Sequence, residues 1–157
     1  MAKLTVGLYL SYSQFCVFIS SLPQPYNDWS DRNYSQGFSW RPGSASFRAL
    51  VEEGDHEITI FIEEAVPEVS SDVIRAFRVP FDVSDSNVEL ASISGSVPLE
   101  LPIGTYTLQV EFFGSMGEEV PRINVRLNKG GTAFLILKAD AEIEQEGDFD
   151  LEASPAT

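Results

Sequence analysis

The sequence predicts an all-β fold, an antiparallel β-sandwich with one short helix in the loop Leu22–Gly43. Three observations carry that expectation. Apolar and polar residues alternate at period two along most of the chain, the pattern of strands with one buried face. Turn residues cut the alternation into short segments at a spacing of roughly 8–12 residues, as in sandwiches. The one long break, Leu22–Gly43, holds Pro23, Pro25 and Pro42 and a short helical signal instead.

A chain of 157 residues, 43% apolar and 11% aromatic, reads as globular. At about 150 residues a domain buries about 68–70% of its unfolded surface, enough for a full core. The division expected is a sandwich domain over 1–138 and an acidic edge strand or tail over 139–157.

Leu4, Val6, Leu8 and Leu10 share one face of a first strand. Ser11, Tyr12, Ser13 and Gln14 interrupt it, so the apolar N-terminus reads as two strands and not as a secretory signal. Phe15, Val17 and Ile19 share a face of the second strand, with Cys16 and Phe18 on the other. In the loop, Asp28 is placed to cap a helix start and Asp31 favours the positive end of its dipole. Gly37 suits a left-handed C-cap, and Trp29 and Trp40 bracket the helix as plugs over the core or as binding anchors. Further strands are expected at 46–52, 57–63, 73–83, 87–93, 97–101, 106–113, 123–127 and 132–138. Glu53-Gly54-Asp55, Ser84-Asp85-Ser86, Pro102-Ile103-Gly104 and Asn128-Lys129-Gly130-Gly131 separate them, with Gly130-Gly131 read as a hairpin turn.

Charge is the second signal. The net charge is −14, and seven carboxylates (Asp140, Glu142, Glu144, Glu146, Asp148, Asp150, Glu152) occupy alternate positions in a tail without Lys or Arg. Such a surface repels nucleic acid and anionic membrane and attracts basic proteins. As a strand, the tail would place its acids on one face about 6.7 Å apart, a sparse imitation of a phosphate backbone. As a solvated edge or frayed segment, the same charges would only block aggregation. Other acid clusters lie at Glu52, Glu53, Asp55 and Glu57, at Glu63, Glu64 and Glu68, and at Glu118 with Glu119.

Catalytic signals are sparse. His56 is the one histidine and reads as a satisfied surface residue in a turn, while Cys16, the one cysteine, reads as a core residue. No disulfide can form within the chain, which leans toward a reducing, cytoplasmic setting. There is no phosphate-binding loop, dinucleotide fingerprint or zinc ligand set. Asp148-x-Asp150-x-Glu152 lacks the glycine and the final glutamate of a calcium loop. No catalytic residue, cofactor or metal is therefore expected.

Four short motifs then occur in order: Ser11-Tyr12-x-Gln14-Phe15-x-Val17-Phe18; Asp28-Trp29-x-Asp31 followed by Gly37-Phe38 and Ser46-Phe47; Val79-Pro80-Phe81-x-Val83; and Leu101-Pro102-x-Gly104-x-Tyr106-x-Leu108. Together they resemble the competence protein J family, inhibitors of the bacterial DNA-entry nuclease, over roughly residues 10–110. The resemblance implies stoichiometric binding to a basic nuclease, without cofactor, direct nucleic-acid contact or membrane insertion. The motif residues read as mostly structural, alternate members of Tyr12–Phe18 packing in the core. The candidate contacts are Asp28, Trp29, Asp31, Trp40, Asp140, Glu142, Glu144, Glu146, Asp148 and Asp150. A sandwich module with another protein or glycan partner stays open, as do an enzyme using His56 and the oligomeric state. An exposed platform of Trp29, Trp40 and Tyr34 would favour sugar binding.

Overall fold

The computed structural model describes residues 2–114 and 119–156. Among them eleven strands and one helix form two facing sheets. The larger sheet has the order β1-β5-β10-β9-β6-β11, built from β1 (Ala2–Leu10), β5 (Gly54–Ile62), β10 (Arg122–Lys129), β9 (Gly104–Phe113), β6 (Val73–Val83) and β11 (Leu135–Lys138). The smaller has the order β3-β4-β2-β7-β8, built from β3 (Phe38–Arg41), β4 (Ser44–Arg48), β2 (Gln14–Ile19), β7 (Asn87–Ser92) and β8 (Gly95–Glu100). Pairing is antiparallel except between β5 and β10, which run parallel.

The period-two pattern sorts side chains as expected. Phe15, Val17 and Ile19 of β2 meet Val79, Phe81 and Val83 of β6 and Leu108 and Val110 of β9 in one core. Cys16 and Phe18 point to the outer face, where Tyr26 covers them. Burial pushes the Cys16 thiol up to about 12, so it stays protonated. Pro80 lies beyond the residues that β11 pairs, Ala76–Arg78, so its missing N–H breaks no ladder on that side. Tyr106 is fully buried, and its hydroxyl donates to the Pro102 carbonyl at 2.7 Å. The Leu101–Leu108 motif is thus a fold element that pins the β8–β9 corner.

Several local expectations change. Phe38–Arg41 is a strand, although it lies within the proline-bounded loop. The helix α1 spans Asp31–Gln36, and its N-cap is Ser30, not Asp28. Ser30 Oγ accepts from the Asn33 N–H and Asn33 Oδ1 accepts from the Ser30 N–H, a reciprocal box that Asp28 is too far upstream to make. Gly37 is the left-handed C-cap at φ 93°. Gly130-Gly131 does not turn a hairpin, because β11 pairs with β6 and not with β10. His56 is buried, 4% exposed, with Nδ1 2.9 Å from the Gly54 carbonyl. Tyr12 points into solvent, 72% exposed, and is no part of the core.

Candidate functional site

The acidic tail is not a strand. It runs as an irregular strap around α1 and along β3, and side chains of α1 hold its backbone. Arg32 donates to the carbonyls of Glu144, Glu146, Gly147 and Asp148 at 2.9–3.3 Å. Gln36 donates to the Asp150 carbonyl and accepts from its N–H, both at 2.9 Å. The chain then continues by Ala153 N–H to the Trp40 carbonyl and Asp28 N–H to the Ser154 carbonyl. These bonds satisfy backbone groups that a strand would have paired in a ladder. The apolar residues of the tail point inward: Ile143 is buried in the core, and Phe149 packs edge-on against Phe38 at 5.4 Å.

Three of the tail acids serve the fold. Asp140 grips the fully buried Arg75, with both carboxylate oxygens within 2.9 Å of Nη2. Glu142 bridges Arg75 at 3.3 Å and Arg48 at 3.7 Å. Asp150 Oδ2 accepts from Ser30 Oγ at 2.8 Å, beside the start of α1. Glu144, Glu146 and Asp148 are exposed on the outer turn of the strap.

The remaining candidates divide. Asp28, Trp29 and Asp150 come together with Glu152 along an open cleft of about 340 Å³. The Trp29 indole N–H is buried there without a hydrogen-bond partner among the described residues. Asp31 is exposed in the first turn of α1. Trp40 is a plug: its indole N–H donates to the Pro80 carbonyl at 2.8 Å and its ring meets Phe134 edge-on at 4.9 Å. Tyr34 lies 3.7 Å from the Arg48 guanidinium carbon, over its ring. Trp40 packs on Phe134 and Tyr34 on Arg48, while Trp29 lines the cleft, and among the described residues no ring contact joins the three.

His56 faces a small cavity of about 50 Å³ lined by Leu50, Val51, Phe112, Phe113, Pro121 and Arg122. His56 also lines an open groove of about 440 Å³ with Thr5, Tyr9, Asp55 and Glu57. Burial also lowers its pKa below 6.5. Among the described residues no cluster of three His, Cys, Asp or Glu side chains is placed to hold a metal ion.

The acid cluster Glu52, Glu53, Asp55 and Glu57 is exposed at one end of the sandwich. Tyr9, 43% exposed, donates to Glu53 at 2.9 Å, and Tyr12 stands on the adjoining turn. These two tyrosines were not among the sequence candidates. Tyr9 falls out of phase with Leu8 and Leu10, on the outward face of β1, while the motif reading placed alternate members of Tyr12–Phe18 in the core and the left-handed turn geometry turns Tyr12 outward. Of the cluster Glu118–Glu119, Glu118 lies outside the described residues.

The family model for competence protein J (ComJ) matches residues 7–129. The chain belongs to the competence protein J family. That match extends past the 10–110 carried by the motifs and stops before the strap. No curated relative matches the chain in sequence. Among solved structures, the crystal structure of ComJ from Bacillus subtilis, inhibitor of the DNA degrading activity of NucA, is similar at a TM-score of 0.64 and 22% identity. The alignment covers 81% of this chain and 96% of that one. The ComJ sandwich is therefore the fold of this chain, and the residues from Gly130 onward, β11 and then the strap, lie beyond the family match.

Proposed function

We propose that this protein inhibits a DNA-degrading nuclease of the NucA type by stoichiometric binding. The observation that carries the reading is the family match across residues 7–129. The similar Bacillus protein is an inhibitor of NucA, and the surface chemistry of this chain agrees with such a role. A nuclease that grips DNA presents cations, and a protein of net charge −14 is drawn to them. Steering of this kind raises association rates by about 10–10³ and weakens as salt rises. Inhibition then requires no chemistry on the inhibitor side. The exposed strap acids Glu144, Glu146 and Asp148 contribute to the steering field, and the cleft at Asp28 and Trp29 adds to the same acidic side.

The test is a titration of this protein into the source organism's purified NucA-type nuclease acting on duplex DNA. Activity should vanish near one equivalent, with an apparent affinity that falls as salt is raised. Full nuclease activity at a tenfold excess of the protein would end the proposal.

A further inference from the structure

We infer that the corner at Tyr12 is where the inhibited nuclease seats, with Tyr12 as the aromatic anchor and a basic patch of the partner around it; this rests on the inhibitor reading above. Three turns meet at this corner. Tyr12 and Ser13 form the β1–β2 turn, residues 49–53 connect β4 to β5, and Ile93–Ser94 turn β7 into β8. Exposed at the meeting point are Tyr9, Tyr12 and Ile93, at 43%, 72% and 42%, with Glu52, Glu53 and Asp55 beside them. An aromatic and aliphatic centre within a charged rim is the anatomy of a protein interface. The charges beside the two tyrosines, Glu52, Glu53 and Asp55, are negative, with Arg122 facing Leu50 and Val51 of the same connection, so the complementary surface is cationic. A second copy of this chain would bring the same acids face to face.

The backbone under Tyr12 strengthens the assignment. Tyr12 and Ser13 have φ of 55° and 56°, two consecutive residues in the left-handed region. A turn with both central φ positive favours Asn-Gly, because a Cβ is strained there. Among the described residues none uses the tyrosine ring in return, since it lies largely in solvent. Strain held at an exposed large side chain marks a binding position. The turn is also fixed before any partner arrives. Ser92 Oγ, fully buried, accepts from the Ser11 N–H at 2.9 Å and donates to the Gln14 carbonyl at 2.8 Å. Ser13 N–H donates to the Glu52 carbonyl, and Ala49 N–H donates to the Ser13 carbonyl, both at 2.8 Å. A ring presented on so rigid a turn loses little conformational freedom on binding. Finally, Tyr9, Tyr12, Glu52, Glu53 and Ile93 all lie within the family match of residues 7–129, as an activity shared by the family requires.

The experiment compares wild type, Tyr12→Gly, Tyr12→Asn and Tyr12→Phe as inhibitors of the same purified NucA-type nuclease, with a thermal melt of each. Glycine and asparagine both tolerate the left-handed turn, so these variants should melt at or above the wild-type temperature. Both should nonetheless lose inhibition at least tenfold, while Tyr12→Phe keeps the ring and most of the inhibition. Wild-type inhibition by folded Tyr12→Gly and Tyr12→Asn would overturn the corner and leave the inhibitor reading intact. Absence of inhibition by the wild type would overturn both. A wild-type dimer that Tyr12→Gly dissolves would reassign the corner to a second copy and overturn the proposal in that way.

Discussion

Replacing Asp140 by asparagine should cost about 3 kcal/mol of stability, because it leaves a buried guanidinium without its main counter-charge. The Arg75 side chain is 1% exposed and that of Asp140 27% exposed. Arg75 gives Nε and Nη2 to Asp140, and Nη1 to the carbonyls of Arg48 and Ala49 at 3.1 and 3.3 Å. Breaking a buried pair from one side costs about 3–5 kcal/mol. The low end applies here, since Asp140 is partly wet and Glu142 stays 3.3 Å from Nη2. In a domain of this size each kcal/mol moves Tm by about 2–4 °C, so the variant should melt roughly 6–12 °C lower. Urea unfolding followed by the fluorescence of Trp29 and Trp40 gives the free energy directly. A double-mutant cycle with Arg75→Met should return much of the loss, because removing both charges removes the unmet one. A Asp140→Asn midpoint equal to wild type at unchanged slope would refute the reasoning and make the pair a surface contact.

Other perturbations probe separate parts of the molecule. A Cβ at Gly37 would lie 2.5 Å from Phe77 Cζ and 2.8 Å from Ile143 Cδ1, at φ +93°. Gly37→Ala should therefore cost about 3 kcal/mol from left-handed strain plus overpacking, read by thermal melt; a loss under about 0.5 kcal/mol would show that the helix end simply relaxes. Burial lowers the His56 pKa, so the unfolded imidazole takes up its proton first as pH falls. Stability should drop as pH is lowered from about 7.5 through 6.5, the unfolded value, and His56→Gln should show a shallower drop; parallel curves would place the pH dependence elsewhere. Neutralising the exposed strap acids (Glu144→Gln, Glu146→Gln, Asp148→Asn) should leave stability within about 0.5 kcal/mol. It should slow association with the nuclease several-fold at low salt without changing dissociation, the behaviour of steering charges; a faster dissociation would make the strap part of the seat.

The sandwich was legible because a buried face writes period two into each strand. The expected 73–83 segment is β6 to the residue, and even Arg75 sits on the inner face with Phe77 and Val79 as strict alternation requires. The register shift between Val73 and Arg75 instead sends Val73 to the outer cluster of Ala76 and Phe113. The same period misled at the C-terminus. Alternating acids over 140–152 imitate a strand facing water, yet the alternate partners include Ala141, Gln145 and Gly147, which bury little. With no apolar face to hold a ladder, the segment instead gives its carbonyls to Arg32 and its isolated Ile143 and Phe149 to the core. The helix start was misplaced by two residues because Asp28 and Ser30 are both cap formers. Asn33, in place of the usual Glu or Gln, hid the reciprocal box that decides between them. Of the candidate contacts, Trp40, Asp140 and Glu142 read as recognition residues from type alone, whereas each has a partner inside the molecule.

The two acidic regions are linked through the interior, which bears on why a strap beyond the family match is so firmly attached. Asp140 holds Arg75, and Arg75 holds the carbonyls of Arg48 and Ala49. The Ala49 N–H in turn holds the Ser13 carbonyl, and the Ser13 N–H is closed on the Glu52 carbonyl. The first carboxylate of the strap is therefore connected by successive polar contacts to the strained turn that presents Tyr12. Fixing the connection between β4 and β5 in this way limits the freedom of Glu52 and Glu53 as well as of the tyrosine. A preorganised surface binds more tightly for the same contacts, because less ordering remains to be done on association. The acids thus divide by physical role. Asp140, Glu142 and Asp150 hold the scaffold, and Glu52, Glu53 and Asp55 surround the anchor. Glu144, Glu146 and Asp148 stay in solvent on the outer turn of the strap, where the proposal above assigns them to the steering field.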